Sequence, residues 1–213
     1  MSTEHSISCI SAASVMEHMP ADYEVFPIGI TRDGVWVEGT TDPVAGVALP
    51  EVPEGREVAL SINPTRKGLI FDVATGQELV HVDAVFPVLH GKYGEDGTVQ
   101  GLLELAGVPY VGPGVLASAC GMDKEYMKKL VAAEGIAITR EVILDGRSSL
   151  DDDERDHLGL PVFVKPANGG SSIGVSKVSD WADFAAAYAL ARESDEKVIV
   201  EAELVGDEVE IGV

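Results

Sequence analysis

The sequence predicts an α/β fold, and three observations support that prediction. Residues 83–90, DAVFPVLH, form an almost unbroken apolar run, which is typical of a parallel strand covered on both faces. From there to residue 119 the pattern continues as helix, short strand and helix, which completes a βαβα order. Further helices and strands follow between residues 123 and 200.

The N-terminal region predicts one helix and two short strands. Apolar residues recur at a helical spacing over residues 6–19, and Pro20 marks the end of that helix. Residues 23–30 are rich in strand-forming side chains, and residues 35–37 return as a second strand after a turn. We expect residues 40–55 to form a loop.

Residues 123–133 predict an amphipathic helix. We expect Met127, Leu130 and Val131 to face inward. On the same pattern the lysines of this helix face outward, namely Lys124, Lys128 and Lys129.

The rest of the chain predicts strands around one exposed connection. Residues 145–159 are rich in Gly and Asp and separate the predicted strands 138–144 and 161–165. The acidic run at residues 151–156 within this connection is interpreted as a solvated loop. An Ala-rich helix over residues 180–192 and a strand over residues 198–200 complete the prediction.

Composition excludes several classes of protein. The formal net charge is −21, from 36 acidic and 15 basic residues, and no basic patch offsets it. Such a chain repels nucleic-acid phosphates and anionic lipid, so we expect neither as a partner. Cys9 and Cys120 cannot form a disulfide framework, which fits a reducing compartment. No basic region leads into a long apolar run, and we therefore predict a cytoplasmic protein.

Two stretches concentrate polar and glycine residues where strands end. Ligands collect beyond the carboxyl ends of parallel strands, which places His90, Gly91, Glu95 and Asp96 at a candidate site. Residues 162–177, VFVKPANGGSSIGVSK, deliver a lysine from a strand into a loop of Gly and Ser that returns as a strand. Backbone N–H groups, hydroxyls and that lysine can together bind phosphate. An ordinary tight hairpin is the alternative interpretation.

Three stretches together resemble one family. KPANGGSSIG resembles the phosphate loop of the ATP-grasp superfamily, and its serine-rich form is similar to that of the D-alanine:D-alanine ligases. STEHSIS at residues 2–8 and the long run from HGKYGEDG to GMDK at residues 90–124 resemble the same ligases, in the same order.

The resemblance implies a fold and a division into domains. Residues 1–121 would form a Rossmann-like pre-ATP-grasp domain that binds substrate and whose first strand is missing. Residues 122–213 would form the small α+β subdomain of an incomplete ATP-grasp domain with a truncated C-terminal lobe.

The resemblance also assigns site residues. Glu4 matches the glutamate that orients the first D-alanine, His90 the histidine of the HG motif in the substrate cleft, and Ser171 a loop serine of the D-alanine site. Ala202 stands where the family usually has lysine after its hinge acid, which weakens the side-chain part of adenine recognition. The residues that match the nucleotide site are Lys124 and Lys165 for the phosphates, Gly169, Gly170, Ser171 and Ser172 in the loop, Glu201 and Ala202 at the hinge, and Glu208 for the ribose.

The implied activity is ATP-dependent synthesis of D-alanyl-D-alanine for peptidoglycan, through an acyl phosphate. Its cofactors would be ATP and Mg²⁺, with the metal ligands outside this chain, and the complete enzyme would be a homodimer. We expect the 213-residue chain alone to be inactive. A non-catalytic, truncated nucleotide-binding fragment and a D-alanine:D-lactate ligase remain alternatives. A nicotinamide-dependent dehydrogenase is disfavoured, because no predicted strand leads into GxGxxG.

Overall fold

The chain folds as two compact units, residues 1–119 and residues 120–213. A computed structural model describes residues 4–39, 51–207 and 209. Helices and strands are mixed in both units, which confirms the α/β class. Among the described residues no helix is long and apolar enough to cross a bilayer.

The first unit contains helices and two small antiparallel sheets. Strands β1 and β2 pair in one sheet, and β3, β4 and β5 pair in that order in the other. Helix α3 crosses the division between the units in the sequence. The elements are α1 (His5–Glu17), β1 (Ile28–Ile30), β2 (Trp36–Glu38), β3 (Val58–Leu60), β4 (Leu69–Asp72), β5 (Glu78–His81), α2 (Thr98–Ala106) and α3 (Val115–Met122).

The prediction of a parallel strand at residues 83–90 is wrong, because these residues form no regular strand. Its one pairing among the described residues is an isolated parallel bridge between Val85 and Tyr110, made by N–H groups of Val85 and Val111 that each donate at 2.9 Å. Pro87 and Pro109 flank that bridge, and proline has no N–H to extend a ladder. An apolar run alone therefore did not indicate whether a neighbouring strand could pair with it.

The second unit is built on a four-stranded antiparallel sheet in the order β6-β9-β7-β8. Its centre is the pairing of β7 with β9, in which Phe163 lies opposite Glu201 and Lys165 opposite Ile199. The elements are α4 (Lys124–Ala133), β6 (Glu141–Leu144), α5 (Asp152–Leu158), β7 (Val162–Pro166), β8 (Ser176–Val178), α6 (Phe184–Arg192) and β9 (Val198–Ala202).

Alternation along these strands separates a core face from a polar face. Val162 and Val164 of β7 and Val198 and Val200 of β9 are completely buried against residues of α6 such as Ala187. Because successive side chains point to opposite faces, Lys165 and Glu201 lie on the other face. The apolar core of this unit thus fixes the direction in which its charged residues point.

The predicted solvated loop at residues 151–156 is wrong, because residues 152–158 form helix α5. The Asp151 side chain accepts from the Glu154 N–H at 2.8 Å, and the Glu154 side chain accepts from the Asp151 N–H at 3.0 Å. This reciprocal capping box begins the helix, and Leu158 at its end enters the core.

The predicted orientation of the helix at residues 123–133 is wrong for three of its residues, whereas Lys129 is exposed as predicted. Met127 and Leu130 are exposed, whereas Lys128 is buried. Lys128 turns inward because it meets two carboxylates of the sheet, from Glu141 and Glu201.

Candidate functional site

The loop between β7 and β8 adopts a backbone that ordinary side chains disfavour. Ser171 and Ser172 both have positive φ values, 50° and 57°, and Gly169 has a φ of 153°. Consecutive non-glycine residues in the left-handed region are uncommon and cluster at functional sites. The prediction of a Gly/Ser loop that returns as a strand is confirmed, since β8 pairs antiparallel with β7.

Lys124 is fixed to the start of this loop. Its backbone N–H donates to the Ala167 carbonyl at 3.0 Å, and its ammonium donates to the Gly169 carbonyl at 2.7 Å and to that of Ala167 at 3.4 Å. Since an ammonium has three donors, one remains for a ligand.

The environment of Lys124 favours an anion. Burial and then the positive charge of Lys165 lower the pKa of Lys124, and the carboxylates of Glu201, Asp195 and Asp123 only partly oppose them. An anion bound beside Lys124 would relieve this unfavourable charge.

Lys165 points from β7 toward a carboxylate on β9. Its ammonium donates to Glu201 Oε2 at 2.7 Å. Burial raises the pKa of Glu201, but the hydrogen bond and charge of Lys165, with those of Lys128, outweigh burial and lower it below its ordinary value. Glu201 is therefore a carboxylate held ionised by two lysines.

Lys128 and Glu141 were not predicted as site residues, yet they form one charged cluster with Lys165 and Glu201. Lys128 Nζ lies 3.1 Å from Glu201 Oε1, donates to Thr139 Oγ1 at 2.7 Å and pairs with Glu141. The signal was present in the spacing, because Lys124 and Lys128 are four residues apart on one face of α4.

The start of α4 is held by a second buried ion pair. The Asp123 side chain accepts from the N–H groups of Glu125 and Tyr126 and so caps the helix. Lys197 donates to Asp123 at 2.5 Å and to Glu125 at 2.9 Å, and despite burial these contacts raise the pKa of Lys197 to about 12. Lys124, the next residue after Asp123, is thereby fixed in place.

The residues predicted to bind adenine and ribose are described in part. Ala202 is buried and its N–H donates to the Arg140 carbonyl at 2.9 Å, while the Glu203 N–H donates to that of Pro161 at 3.0 Å. These two N–H groups are therefore not available to a base. Glu208, predicted to bind ribose, lies outside the described residues.

In the first unit, Glu4 and His90 are linked through Ser8. The Glu4 carbonyl accepts from the Ser8 N–H at 3.0 Å, and Ser8 Oγ accepts from the His90 N–H at 2.8 Å. The His90 ring lies 2.9 Å from Ser11 Oγ through Nε2 and 3.6 Å from Glu95 Oε1 through Nδ1. Helix α1 thus brings together two residues that are far apart in the sequence.

The glycine-rich turn after His90 is held by its own acidic residues. Glu95 accepts from the Gly91 N–H at 2.7 Å, and Asp96 accepts from the Tyr93 N–H at 2.8 Å. Burial opposes ionisation of Asp96, yet the hydrogen bonds from Tyr93 and Thr98 lower its pKa. These acidic residues support the turn itself.

The sequence-predicted residues therefore form two groups. Glu4 and His90 belong to the first unit, whereas Lys124, Lys165, Ser171 and Glu201 belong to the second. Within the described ranges, no three His, Cys, Asp or Glu side chains form a group that could hold a metal ion.

Comparison with known proteins accounts for both groups. Residues 1–113 match the family described as D-ala D-ala ligase N-terminus, and residues 128–213 match the family described as D-ala D-ala ligase C-terminus. The chain belongs to the D-alanine:D-alanine ligase family. The resemblance inferred from the three motifs is thus confirmed.

Relatives and solved structures of this ligase family agree with that assignment. A D-alanine–D-alanine ligase of Corynebacterium diphtheriae is 60% identical over 100% of this chain and 59% of its own length, and one of Rhodococcus opacus is 58% identical over 100% and 60%. VanG D-Ala:D-Ser ligase from Enterococcus faecalis is 36% identical with a TM-score of 0.82, over 96% of this chain and 60% of that one. The D-alanine-D-alanine ligase from Coxiella burnetii is 30% identical with a TM-score of 0.82, over 96% and 61%. The chain spans about 60% of the length of these relatives.

Proposed function

We propose that the protein is a D-alanine:D-alanine ligase that forms D-alanyl-D-alanine with ATP for peptidoglycan synthesis. The observation that carries the proposal is the convergence of Lys124 and Lys165 on the glycine and serine loop of a chain of this family. Such a site suits a polyanionic nucleotide, whereas the net charge of −21 opposes nucleic acid. We also propose a cytoplasmic homodimer, with residues 1–121 as the substrate domain and residues 122–213 as the ATP-grasp domain.

Nucleotide binding is assigned to the second unit. Lys124 and Lys165 hold the phosphates, with backbone N–H groups of Gly169, Gly170, Ser171 and Ser172 around them. Glu201 positions Lys165, and Glu208 binds the ribose. The N–H groups of residues 202 and 203 are already bonded, so a base that enters here binds to other backbone groups.

Binding of D-alanine is assigned to Glu4, His90 and Ser171. The carboxylate of Glu4 attracts the ammonium group of D-alanine. His90 is oriented by Ser11 on one ring nitrogen and by Glu95 on the other. Once either contact is exchanged for the substrate, the imidazole can bind a carboxylate or transfer a proton.

The contribution of these residues to the reaction is positioning and charge neutralisation. ATP supplies the phosphoryl group that activates the carboxylate of one D-alanine toward the amine of another. Lys124 and Lys165 neutralise the phosphates, because negative charge is spread over the transferred group. Mg²⁺ would neutralise further phosphate charge, with ligands from outside the described residues, among which no three His, Cys, Asp or Glu side chains form a metal-binding group.

A D-alanine:D-serine ligase is the second candidate. VanG is named a D-Ala:D-Ser ligase, and its structure matches this chain as well as that of the Coxiella burnetii ligase does, with a TM-score of 0.82 for each. The relatives from Corynebacterium and Rhodococcus, which are 56–60% identical, are named D-alanine–D-alanine ligases and favour D-alanine. D-lactate is a further alternative for the second substrate, and a non-catalytic nucleotide-binding fragment is a further alternative for the chain.

The test is D-alanine-dependent release of ADP. The chain is extended with the parts of the Corynebacterium diphtheriae ligase that lie outside the matched region. We expect ADP release that needs D-alanine and stops when Lys165 is replaced by Met. ADP release with D-lactate or D-serine only, or none with any of these in a folded chain that binds ATP, would overturn the proposal.

A further inference from the structure

Two lysines bind opposite oxygens of the Glu201 carboxylate. Lys165 donates to Oε2 at 2.7 Å, and Lys128 Nζ lies 3.1 Å from Oε1. The side chains of Lys128 and Glu201 are 8% and 13% exposed, so solvent screens their charges weakly. The strength with which Glu201 holds one lysine therefore depends on the other.

The two lysines differ in what their ammonium groups have left to bind. Lys128 donates to the hydroxyl and the carbonyl of Thr139 and forms ion pairs with Glu141 and Glu201, so protein acceptors surround its ammonium. For Lys165, Glu201 is the one acceptor within hydrogen-bonding distance in the described part of the chain. Lys128 is thus committed to the protein, whereas Lys165 keeps two donors for a ligand.

The charge of Glu141 affects Lys128 in two ways. It repels Glu201, which Lys128 offsets, and it also attracts the ammonium of Lys128 away from Glu201. Glu141 and Glu201 are direct cross-strand partners in β6 and β9, and like charges in that position repel. Lys128 lies between them and pairs with both. The share of its charge that reaches Glu201 therefore depends on the charge of Glu141.

We infer that Lys128 is a positioning residue of the nucleotide site, and that Lys128 and Glu141 together set the affinity of Lys165 for phosphate. The inference rests on the proposed function, which places phosphates at Lys165. Lys128 neutralises one oxygen of Glu201, so the other oxygen orients Lys165 without holding it too strongly. Phosphate oxygens then compete for Lys165 with a Glu201 carboxylate whose charge is already shared with Lys128.

This role predicts opposite effects from two neighbours in one buried cluster. Glu141→Gln removes the second carboxylate that pairs with Lys128, so Lys128 interacts more strongly with Glu201. Glu201 then holds Lys165 less strongly, and ADP binding should tighten. The double variant Lys128→Met with Glu141→Gln keeps the cluster neutral but leaves Lys165 as the sole cationic partner of Glu201. It should weaken ADP binding about tenfold. A change of this size lies within the range of interaction energies measured between residues of one ion-pair network.

The measurement is calorimetric titration of the 213-residue chain with ADP and with AMP, with melting curves beside it. AMP lacks the β-phosphate, so we expect its affinity to change less than about twofold in both variants, which is about 0.4 kcal/mol. Lys128→Arg retains the charge and should restore ADP affinity relative to the double variant. If the double variant does not fold, Glu141→Gln decides alone.

Weakened or unchanged ADP binding by folded Glu141→Gln would overturn the inference, as would parallel losses of ADP and AMP in the double variant. Failure of the proposed function gives a different result. In that case the unaltered chain would bind ADP no better than AMP, and Lys165→Met would change neither affinity.

Discussion

The ammonium of Lys165 lies 2.7 Å from the carboxylate of Glu201, diagonally across the two central strands of the second sheet. Phe163 is the direct partner of Glu201, and Lys165 is the next residue on that face of β7. The neighbouring strand therefore supplies the acid that orients the phosphate-binding lysine, and the register of β7 with β9 is part of the site.

Acid should weaken the chain through Glu201. Because its pKa is lowered in the folded chain, its stabilising contribution is complete above the ordinary value of 4.5 and is lost as pH falls through the lower folded value. We expect urea unfolding to show a constant gap in stability between the unaltered chain and Glu201→Gln above about pH 5, narrowing at lower pH. A gap that stays constant down to pH 3 would show that this carboxylate is not the group that titrates.

The capping box of α5 should stabilise the second unit. Asp151→Ala removes the acceptor for the Glu154 N–H, and the expected loss is about 1 kcal/mol. Asp152→Ala is the matched control, because this neighbouring acid has a fully exposed side chain and makes only a 4.0 Å contact with Arg155. Equal urea midpoints for the two variants would contradict the assignment of α5 as a capped helix.

Lys197 should contribute more than a surface lysine. Lys197→Met leaves Asp123 buried without its cation, while Glu125 keeps its pair with Lys129, and should cost about 3 kcal/mol, as for other broken buried pairs. Its pKa is raised to about 12, so the contribution is fully present below the ordinary value of 10.5 and is lost as pH rises through about 12. The difference in unfolding free energy should therefore be the same at pH 7 and pH 9, and its disappearance by pH 9 would contradict the predicted shift.

Glu4 should act on D-alanine and not on ATP. In the chain extended with the Corynebacterium diphtheriae segments, Glu4→Gln removes the charge but keeps the size, so the KM for D-alanine should rise about tenfold or more with the KM for ATP unchanged. Glu17→Gln, an exposed acid at the other end of α1, is the control. A changed KM for ATP with an unchanged KM for D-alanine would make Glu4 only a helix-terminal acid, whose loss costs about 0.3 to 1 kcal/mol of stability.

Local patterns predicted the parts of the fold that depend on local sequence. The order strand, Gly/Ser loop and strand is readable over residues 162–177, because apolar strand formers stand on one side of a run of glycines and serines. The capping box of α5 was equally local, and it was overlooked because the acidic composition of residues 151–156 suggested solvent.

Long-range pairing is what the sequence did not reveal. The apolar run at residues 83–90 forms no ladder with any described segment, because prolines lie on both sides of its bridge. Lys128 was assigned to the surface because its burial depends on Glu141 and Glu201, which come from two strands later in the chain. The strands β3 to β5, each three or four residues long, also went unpredicted.

The affinity of the 213-residue chain for ADP tests the central claim most directly, when Lys165→Met is compared with Lys177→Met. Lys177 lies opposite Phe163 on β8, carries the same charge and pairs with Glu203, so it controls for loss of one positive charge from the same sheet. We expect Lys165→Met to weaken ADP binding by about 2 kcal/mol or more, as for a charge that contacts phosphate in a protected site, and Lys177→Met to change it by less than about 0.5 kcal/mol. Equal affinities for the two variants would contradict a nucleotide site at this loop.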